Sequence, residues 1–167
     1  MIVRTVRTFQ ESDVIREIVI VTREDLVMSI MSLCAPLEKV KAVVVGGSSR
    51  QESVELGLSA LSNKVKLVAV QDGARPLITP TVIERTVHAA QIHGAAAPGV
   101  LVKDTVKIVK DDTVQETPDR ATLRAIQTPQ IFDLSLLQKA LIKAKKENAS
   151  ITDDCSAVER LGIPVKI

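Results

Sequence analysis

Four segments of the chain gather residue types that handle phosphate and metal. The first is V-G-G-S-S-R-Q-E-S-V at 45–54. Gly46 and Gly47 let the backbone come close to a ligand. Arg50 and Ser53 supply donors near the N-terminus of the helix that follows, an arrangement suited to an anion. A strand-to-helix turn that simply needs glycine accounts for the same residues equally well. The second segment is V-Q-D-G-A-R-P at 70–76. Asp72 leaves a strand end as a carboxylate and Arg75 follows three residues on, which suits a divalent metal and a phosphate respectively. A local ion pair closed by Pro76 is the plainer reading.

The third segment is P-D-R-A-T-L-R-A-I-Q-T-P-Q-I-F at 118–132. Here Arg120 and Arg124 lie near a polar Q-T-P-Q turn, where they either hold phosphate or line a solvated strand edge. The fourth is I-T-D-D-C-S-A-V-E at 151–159, with Thr152 placed to cap a short helix through the amide of Cys155. Other chemistry finds no support. His88 and His93 lack a third ligand nearby and read as surface residues. Cys155 has no local His partner to activate it as a thiolate. No G-x-S-x-G elbow and no Walker lysine loop occurs.

Composition narrows the class further. The 167 residues are 46% hydrophobic and 25% charged, ordinary for one soluble globular domain. Such a chain buries roughly 70% of its unfolded surface, enough for a core. With two Phe, no Tyr and no Trp, that core is aliphatic, and base-stacking platforms for single-stranded nucleic acid are absent. Twenty-two basic against 20 acidic residues, net +2, create no field for a duplex. No apolar run spans a bilayer and no signal peptide opens the chain. Cys34 and Cys155 have neither metal spacing nor the density of a disulfide scaffold, so a reducing cytoplasm is the expected location.

The elements that must position these segments follow from periodicity. E-I-V-I-V (17–21), K-A-V-V-V (41–45) and K-L-V-A-V (66–70) are short β-branched runs without alternation, as in strands covered on both faces of a parallel sheet. Helical stretches separate them. Residues 23–33 place Leu26, Ile30 and Leu33 at helical spacing, and 51–61 do so with Val54, Leu58 and Leu61. Thr79 and Pro80 mark the start of a helix over 79–90. Alternating strand and helix predicts a doubly wound, mostly parallel α/β sheet of the Rossmann-like kind. Regularity then breaks: residues 100–118 alternate about a Lys110–Asp111–Asp112 turn, a hairpin projecting from the sheet. A strand is expected near Leu123–Ile126, a helix over 133–147 capped by Asp133, and a short helix over Asp153–Leu161 ending at Gly162. Residues 1–9 read as helix, so the chain opens inside a crossover. The expectation is one domain over residues 1–167, truncated at both ends, with an arm at about 100–120.

In order and spacing, the four segments together with V-K-D-T-V-K at 102–107 resemble the 2-C-methyl-D-erythritol 4-phosphate cytidylyltransferase family of the non-mevalonate isoprenoid pathway. The likeness runs over essentially the whole chain. It implies a nucleotide-diphospho-sugar transferase-like fold with a β-arm that clasps a second copy in a homodimer. It implies a reaction in which the substrate phosphate attacks the α-phosphorus of CTP with Mg²⁺, giving a CDP-sugar alcohol and pyrophosphate. By the same resemblance, Gly46, Gly47 and Ser53 hold the cytidine, with Arg50 in the same motif. Asp72 serves nucleotide, metal and substrate. Arg75 and Thr152 lie on the substrate side, and Thr105 and Arg120 reach the neighbouring subunit's substrate. Such chemistry needs positioning and cations more than a general base, because the nucleophile is already an anion.

The sequence also departs from the family. A glycine-rich triphosphate loop followed by a Lys has no match in residues 1–44, and a further substrate-side Lys is not found before Ile167. Arg124 stands where Trp is usual and Gln71 where His is frequent. The chain as written is therefore expected to turn over CTP undetectably. Two alternatives stay open at this point: a pentitol-phosphate cytidylyltransferase acting on ribitol 5-phosphate, and a non-catalytic dimerising α/β module. The D-R-x-x-L element at Asp119 and the D-T-V-K arm favour the erythritol reading.

Overall fold

The structure is a computed structural model that describes residues 1–167. Helix α1 (Ile2–Glu11) leads into β1 (Ile18–Thr22), α2 (Val27–Cys34), β2 (Val40–Val45), α3 (Arg50–Ser59), β3 (Leu67–Val70) and α4 (Pro80–His93). Thr79 accepts from the Val82 amide with Pro80 next, as that start signal implies, and Gly94 ends α4 at φ 79°, a left-handed conformation suited to glycine. Short strands β4 (Ala95–Ala96), β5 (Gly99–Leu101), β6 (Ile108–Lys110), β7 (Thr113–Glu116), β8 (Arg124–Ile126) and β9 (Gln130–Asp133) follow. Helices α5 (Leu134–Lys146) and α6 (Asp154–Glu159) complete the elements.

Helices cover both faces of the strands, the layered arrangement expected of a doubly wound fold. On one face Phe9 of α1 and Ile83, Val87 and Ala90 of α4 bury against Ala96 and Ile131. On the other, Leu137, Ala140 and Leu141 of α5 and Ala157 and Val158 of α6 pack on Ala95 and Phe132. Neighbouring residues of β4 and β9 thus serve opposite faces, as the strand period requires. The expected parallel sheet holds only in part. β1 pairs parallel with β2, whereas β3 pairs antiparallel with β9, and β9 antiparallel with β4. β9 itself was not foreseen.

Two local expectations need correction. The stretch at 23–33 begins as a 3₁₀ turn at Glu24–Leu26, and its buried residues are Ile30 and Cys34, four apart; Leu26 and Leu33 are exposed. The cap of α6 is Asp153, which accepts from the Ser156 amide in a capping box; Thr152 is exposed. A carboxylate is the stronger acceptor at a helix start, which is why the neighbouring hydroxyl loses the position.

Residues 99–126 form the projecting part. β5 pairs with β8, and β6 with β7 around Asp111 and Asp112 at φ 49° and 56°. Two successive left-handed residues match the twist of a tight hairpin. Ile108, Val109 and Val114 are exposed along it.

The β1–β2 pair and the β3–β9–β4 sheet are not hydrogen-bonded to each other. Between them lies a cavity of about 810 Å³, lined along its length by β1 and β3 and flanked by α1 and α3. Ladder alternation identifies the backbone groups that face it. Ile18 donates to Lys39 and Thr22 accepts from Gly46, so Ile18, Ile20 and Thr22 turn toward β2 and leave Val19 and Val21 toward the cavity. Lys66 accepts from Leu134, so Val68 and Val70 turn toward β9 and leave Leu67 and Ala69 toward the cavity. Amide exchange followed by NMR is expected to be faster at Val19, Val21, Leu67 and Ala69 than at Ile20, Thr22, Val68 and Val70. Uniform protection along both strands would contradict the observed pairing.

Candidate active site

The turn after β2 is built around space, not unusual dihedrals. A Cβ on Gly46 would lie 2.8 Å from Ser53 Oγ, and one on Gly47 would lie 2.2 Å from Glu52 Cγ. Those side chains fold back because they satisfy the turn. Ser53 Oγ accepts from the Gly47 amide at 3.1 Å and donates to the Ser49 carbonyl at 2.9 Å. Glu52 Oε2 accepts from both the amide and the hydroxyl of Ser48, each at 2.7 Å, and Ser49 caps α3 through the Glu52 amide. Glycine at 46 and 47 is thus the condition for this closure. A cavity of about 410 Å³ borders the turn, lined by Gly46, Gly47, Ser53 and the end of β1.

The turn after β3 supplies Asp72 and Arg75, which form an ion pair at 3.0 Å with both side chains partly exposed. The Asp72 amide donates to Thr128 Oγ1 at 3.2 Å, and Thr5 Oγ1 donates to the Gly73 carbonyl at 2.9 Å. The turn is thereby tied to the 127–130 segment on one side and to α1 on the other. The local ion pair considered from the sequence is real, and it leaves Asp72 accessible to a ligand.

Asp154 joins the fourth segment to the first. Its side chain is fully buried, and Oδ2 receives Arg50 Nη2 at 2.6 Å, whereas Oδ1 has no partner. Gln130 holds this end of α6. Its Oε1 accepts from the amides of Asp154 and Cys155, and its Nε2 donates to Asp153 Oδ2. Burial lowers the proton affinity of the Arg50 guanidinium, but the hydrogen bond and charge of Asp154, with the charges of Asp72 and Asp153, outweigh it and hold the group above its ordinary value. Burial, with nearby Asp153, Asp154 and Glu159, pushes the Cys155 thiol far up, so no thiolate forms there.

The structure therefore brings Gly46, Gly47, Arg50, Ser53 and Asp72 to one end of the strands; Arg50, Ser53 and Asp72 also line the end of the large cavity. Arg75 adjoins Asp72, and Thr152 precedes the Asp153–Asp154 pair. Thr105 and Arg120 belong to the exposed projecting part, where Arg120 Nη1 donates to the Lys103 carbonyl at 2.8 Å. Arg124 likewise spends its guanidinium on the carbonyls of Ala121 and Leu123. Thr128, Gln130 and Asp154 were not foreseen as site-building residues. Their signal was polarity out of place: Gln130 heads an apolar strand, and Asp154 is the second acid in T-D-D-C.

A sequence model described as "IspD: 2-C-methyl-D-erythritol 4-phosphate cytidylyltransferase" matches residues 1–167. The chain belongs to the 2-C-methyl-D-erythritol 4-phosphate cytidylyltransferase family. The cytidylyltransferase of that name from Symbiobacterium thermophilum is 42% identical over 168 residues, which cover 100% of this chain and 70% of the relative. The crystal structure of 4-diphosphocytidyl-2C-methyl-D-erythritol synthase from Anaerococcus prevotii superposes with a TM-score of 0.92 at 31% identity, covering 99% of this chain and 74% of that one. The cytidylyltransferase from Thermus thermophilus gives a TM-score of 0.77 at 31% identity, covering 98% and 74%. The α/β architecture of this cytidylyltransferase family member is that of those structures.

The cytidylyltransferase glycine turn carries its own pH dependence. The Ser48 hydroxyl, and after it the Ser48 amide, hold the Glu52 carboxylate below its ordinary range. A carboxylate lowered in the folded state contributes stability above its unfolded value of about 4.3, lost as pH falls through the lower folded value. Amide shifts of Gly47 and Ser48 are expected to stay constant from about pH 7 to 5 and to move below about pH 4. Glu52→Gln should remove that acid step while leaving Ser53 to hold the turn.

Proposed function

We propose that the reaction this chain serves is transfer of the cytidylyl group of CTP to 2-C-methyl-D-erythritol 4-phosphate. An oxygen of the substrate phosphate forms a bond to the α-phosphorus, the α–β phosphoanhydride breaks, and pyrophosphate departs with the electron pair. The observation that carries the reading is the Arg50–Asp154 contact at 2.6 Å, which closes the glycine turn and the 151–154 segment around one strand end beside Asp72. Family membership supplies the substrates.

In this reading Gly46, Gly47 and Ser53 seat the cytidine against backbone, and Arg50 faces the phosphates. Arg75 and Thr152 lie toward the sugar-alcohol phosphate. Thr105 and Arg120 reach the substrate of a second copy, through a homodimer held by the arm at about 100–120. The exposed Ile108, Val109 and Val114 give that arm apolar surface to cover. Residues 1–167 act as one domain.

A divalent cation fits this site with help from the nucleotide. No group of three or more His, Cys, Asp or Glu side chains stands ready to hold a metal. Mg²⁺ usually takes only one or two carboxylates and completes its shell with phosphate oxygens and water. The partly exposed Asp72 would supply the protein ligand. Mg²⁺ bound there would neutralise charge on the triphosphate. No helix is long and apolar enough to cross a membrane, and the free, buried Cys34 and Cys155 accord with a cytoplasmic setting.

The first test is pyrophosphate release from CTP with the erythritol phosphate, run beside ribitol 5-phosphate. Release with the first substrate alone is the expected outcome where a glycine-rich triphosphate loop and its Lys are also present, whereas residues 1–167 by themselves are expected to release none. Release with ribitol 5-phosphate alone would reassign the acceptor. The shared-site arrangement is tested by mixing inactive full-length Asp72→Ala and Arg120→Ala proteins. Random exchange makes roughly half the dimers mixed, each with one intact site, so activity should rise to about a quarter of wild type. No recovery, with exchange verified by mass spectrometry, would place both residues in the same copy's site.

A further inference from the structure

We propose that Asp154 is a positioning residue, which holds the Arg50 guanidinium at the cleft mouth facing Asp72 and so makes Arg50 a fixed contact for an anionic phosphate. The proposal rests on the nucleotide-binding reading above and adds to it a residue that does not touch the ligand.

Arg50 has no local reason to stay where it is. It is the first residue of α3, the positive end of the helix dipole, where a cation is disfavoured. A long flexible side chain there would ordinarily turn to solvent. Instead Nη2 reaches across 104 residues of sequence to Asp154. Asp154 cannot follow Arg50 outward. Its amide is fixed by Gln130, its neighbour Asp153 caps α6, and its side chain is 0% exposed while that of Arg50 is 41% exposed. The buried carboxylate is the fixed partner and the guanidinium the one that is held.

A purely structural role explains this poorly. A buried carboxylate that leaves one oxygen unpaired is an expensive way to join two elements, and an apolar pair of similar size commonly serves as well. What the pair achieves is a cation held in one place. Only Nη2 is committed to Asp154, so the remaining guanidinium donors are free of protein partners. The side chain keeps 41% exposure and is among the residues that line the cleft, so these donors are open to a ligand there. Arg50 lines the cleft together with Ser53 and Asp72. A fork of donors fixed there suits phosphate oxygens.

The test has two parts. NMR of the Arg50 side chain reads the contact directly: in the wild type, slow rotation should resolve its Nη protons, and Asp154→Asn should merge them. Calorimetry with CTP and with cytidine reads the consequence in the wild type, Arg50→Gln, Asp154→Asn and the double variant. Each single change should weaken CTP about tenfold or more, the scale of a lost charge-assisted hydrogen bond, and leave cytidine unchanged. The double variant should be no weaker than the worse single, because Asp154 acts only through Arg50. Asp154→Glu should restore part of the loss.

Additive losses, or an equal loss of cytidine, would make Asp154 structural and overturn the proposal. Arg50 signals indifferent to Asp154→Asn would overturn it whatever CTP does. If the wild type binds no CTP, yet Arg50 is locked and is released by Asp154→Asn, the nucleotide reading fails while the positioning contact is upheld.

Discussion

Gln130 is a polar amide at the head of a strand whose next residues, Ile131 and Phe132, are buried on opposite faces of the sheet. Only 3% exposed, it stands where an unpaired amide would be costly. It is tolerated because its oxygen takes two amides from the start of α6 and its nitrogen reaches Asp153. Much else depends on that satisfaction. It fixes the first turn of α6 and with it Asp154, whose carboxylate pairs with Arg50 at the start of α3. Thr128, two residues before, ties the same segment to the amide of Asp72. The Q-T-P-Q stretch is therefore less a phosphate loop than a junction to which the other segments are fastened.

This arrangement explains why the cleft is apolar along its middle and why the polar groups of the site gather at one of its ends. Strands β1 and β3 line the cavity with Ile, Val, Leu and Ala, while Arg50, Ser53 and Asp72 gather where the strands stop. Side chains within a covered strand must be apolar to pack against α1 and α3. Only beyond the last ladder bond can the chain turn a charged group toward a ligand, which is the general logic of open α/β sheets.

Much of this was legible in advance, for identifiable reasons. Fully covered strands are short β-branched runs, so β1, β2 and β3 stand out from their neighbours. Thr79–Pro80 and Asp133 announce helices because capping chemistry is local. The Lys110–Asp111–Asp112 turn is legible because few residues accept φ near 50° twice in succession. What was not legible is long-range. β9 is four residues long and begins with Gln130, so no periodicity marks it. The Arg50–Asp154 pair links residues 104 apart, which no spacing rule connects. The choice of Asp153 over Thr152 as the cap turned on one residue, at the scale where helix boundaries are least certain.

The cavity between β1 and β3 is bounded by strands that leave one row of backbone groups each without a ladder partner. Two facing rows of free amide and carbonyl groups form a template onto which any extended apolar stretch can dock, the usual opening for edge-to-edge stacking. The aliphatic centre of the slot, Val19, Val21, Leu67 and Ala69, offers no resistance. Its ends do. Arg16, Glu17, Lys64 and Lys66 stand where the strands begin, and Arg50 and Asp72 where they finish. Charge at both mouths acts as a pair of gatekeepers, making entry of an unmatched strand cost desolvation before it gains a single ladder bond. The same ions that make one end chemically useful thus also bracket an aliphatic slot whose backbone groups are open to an extended segment.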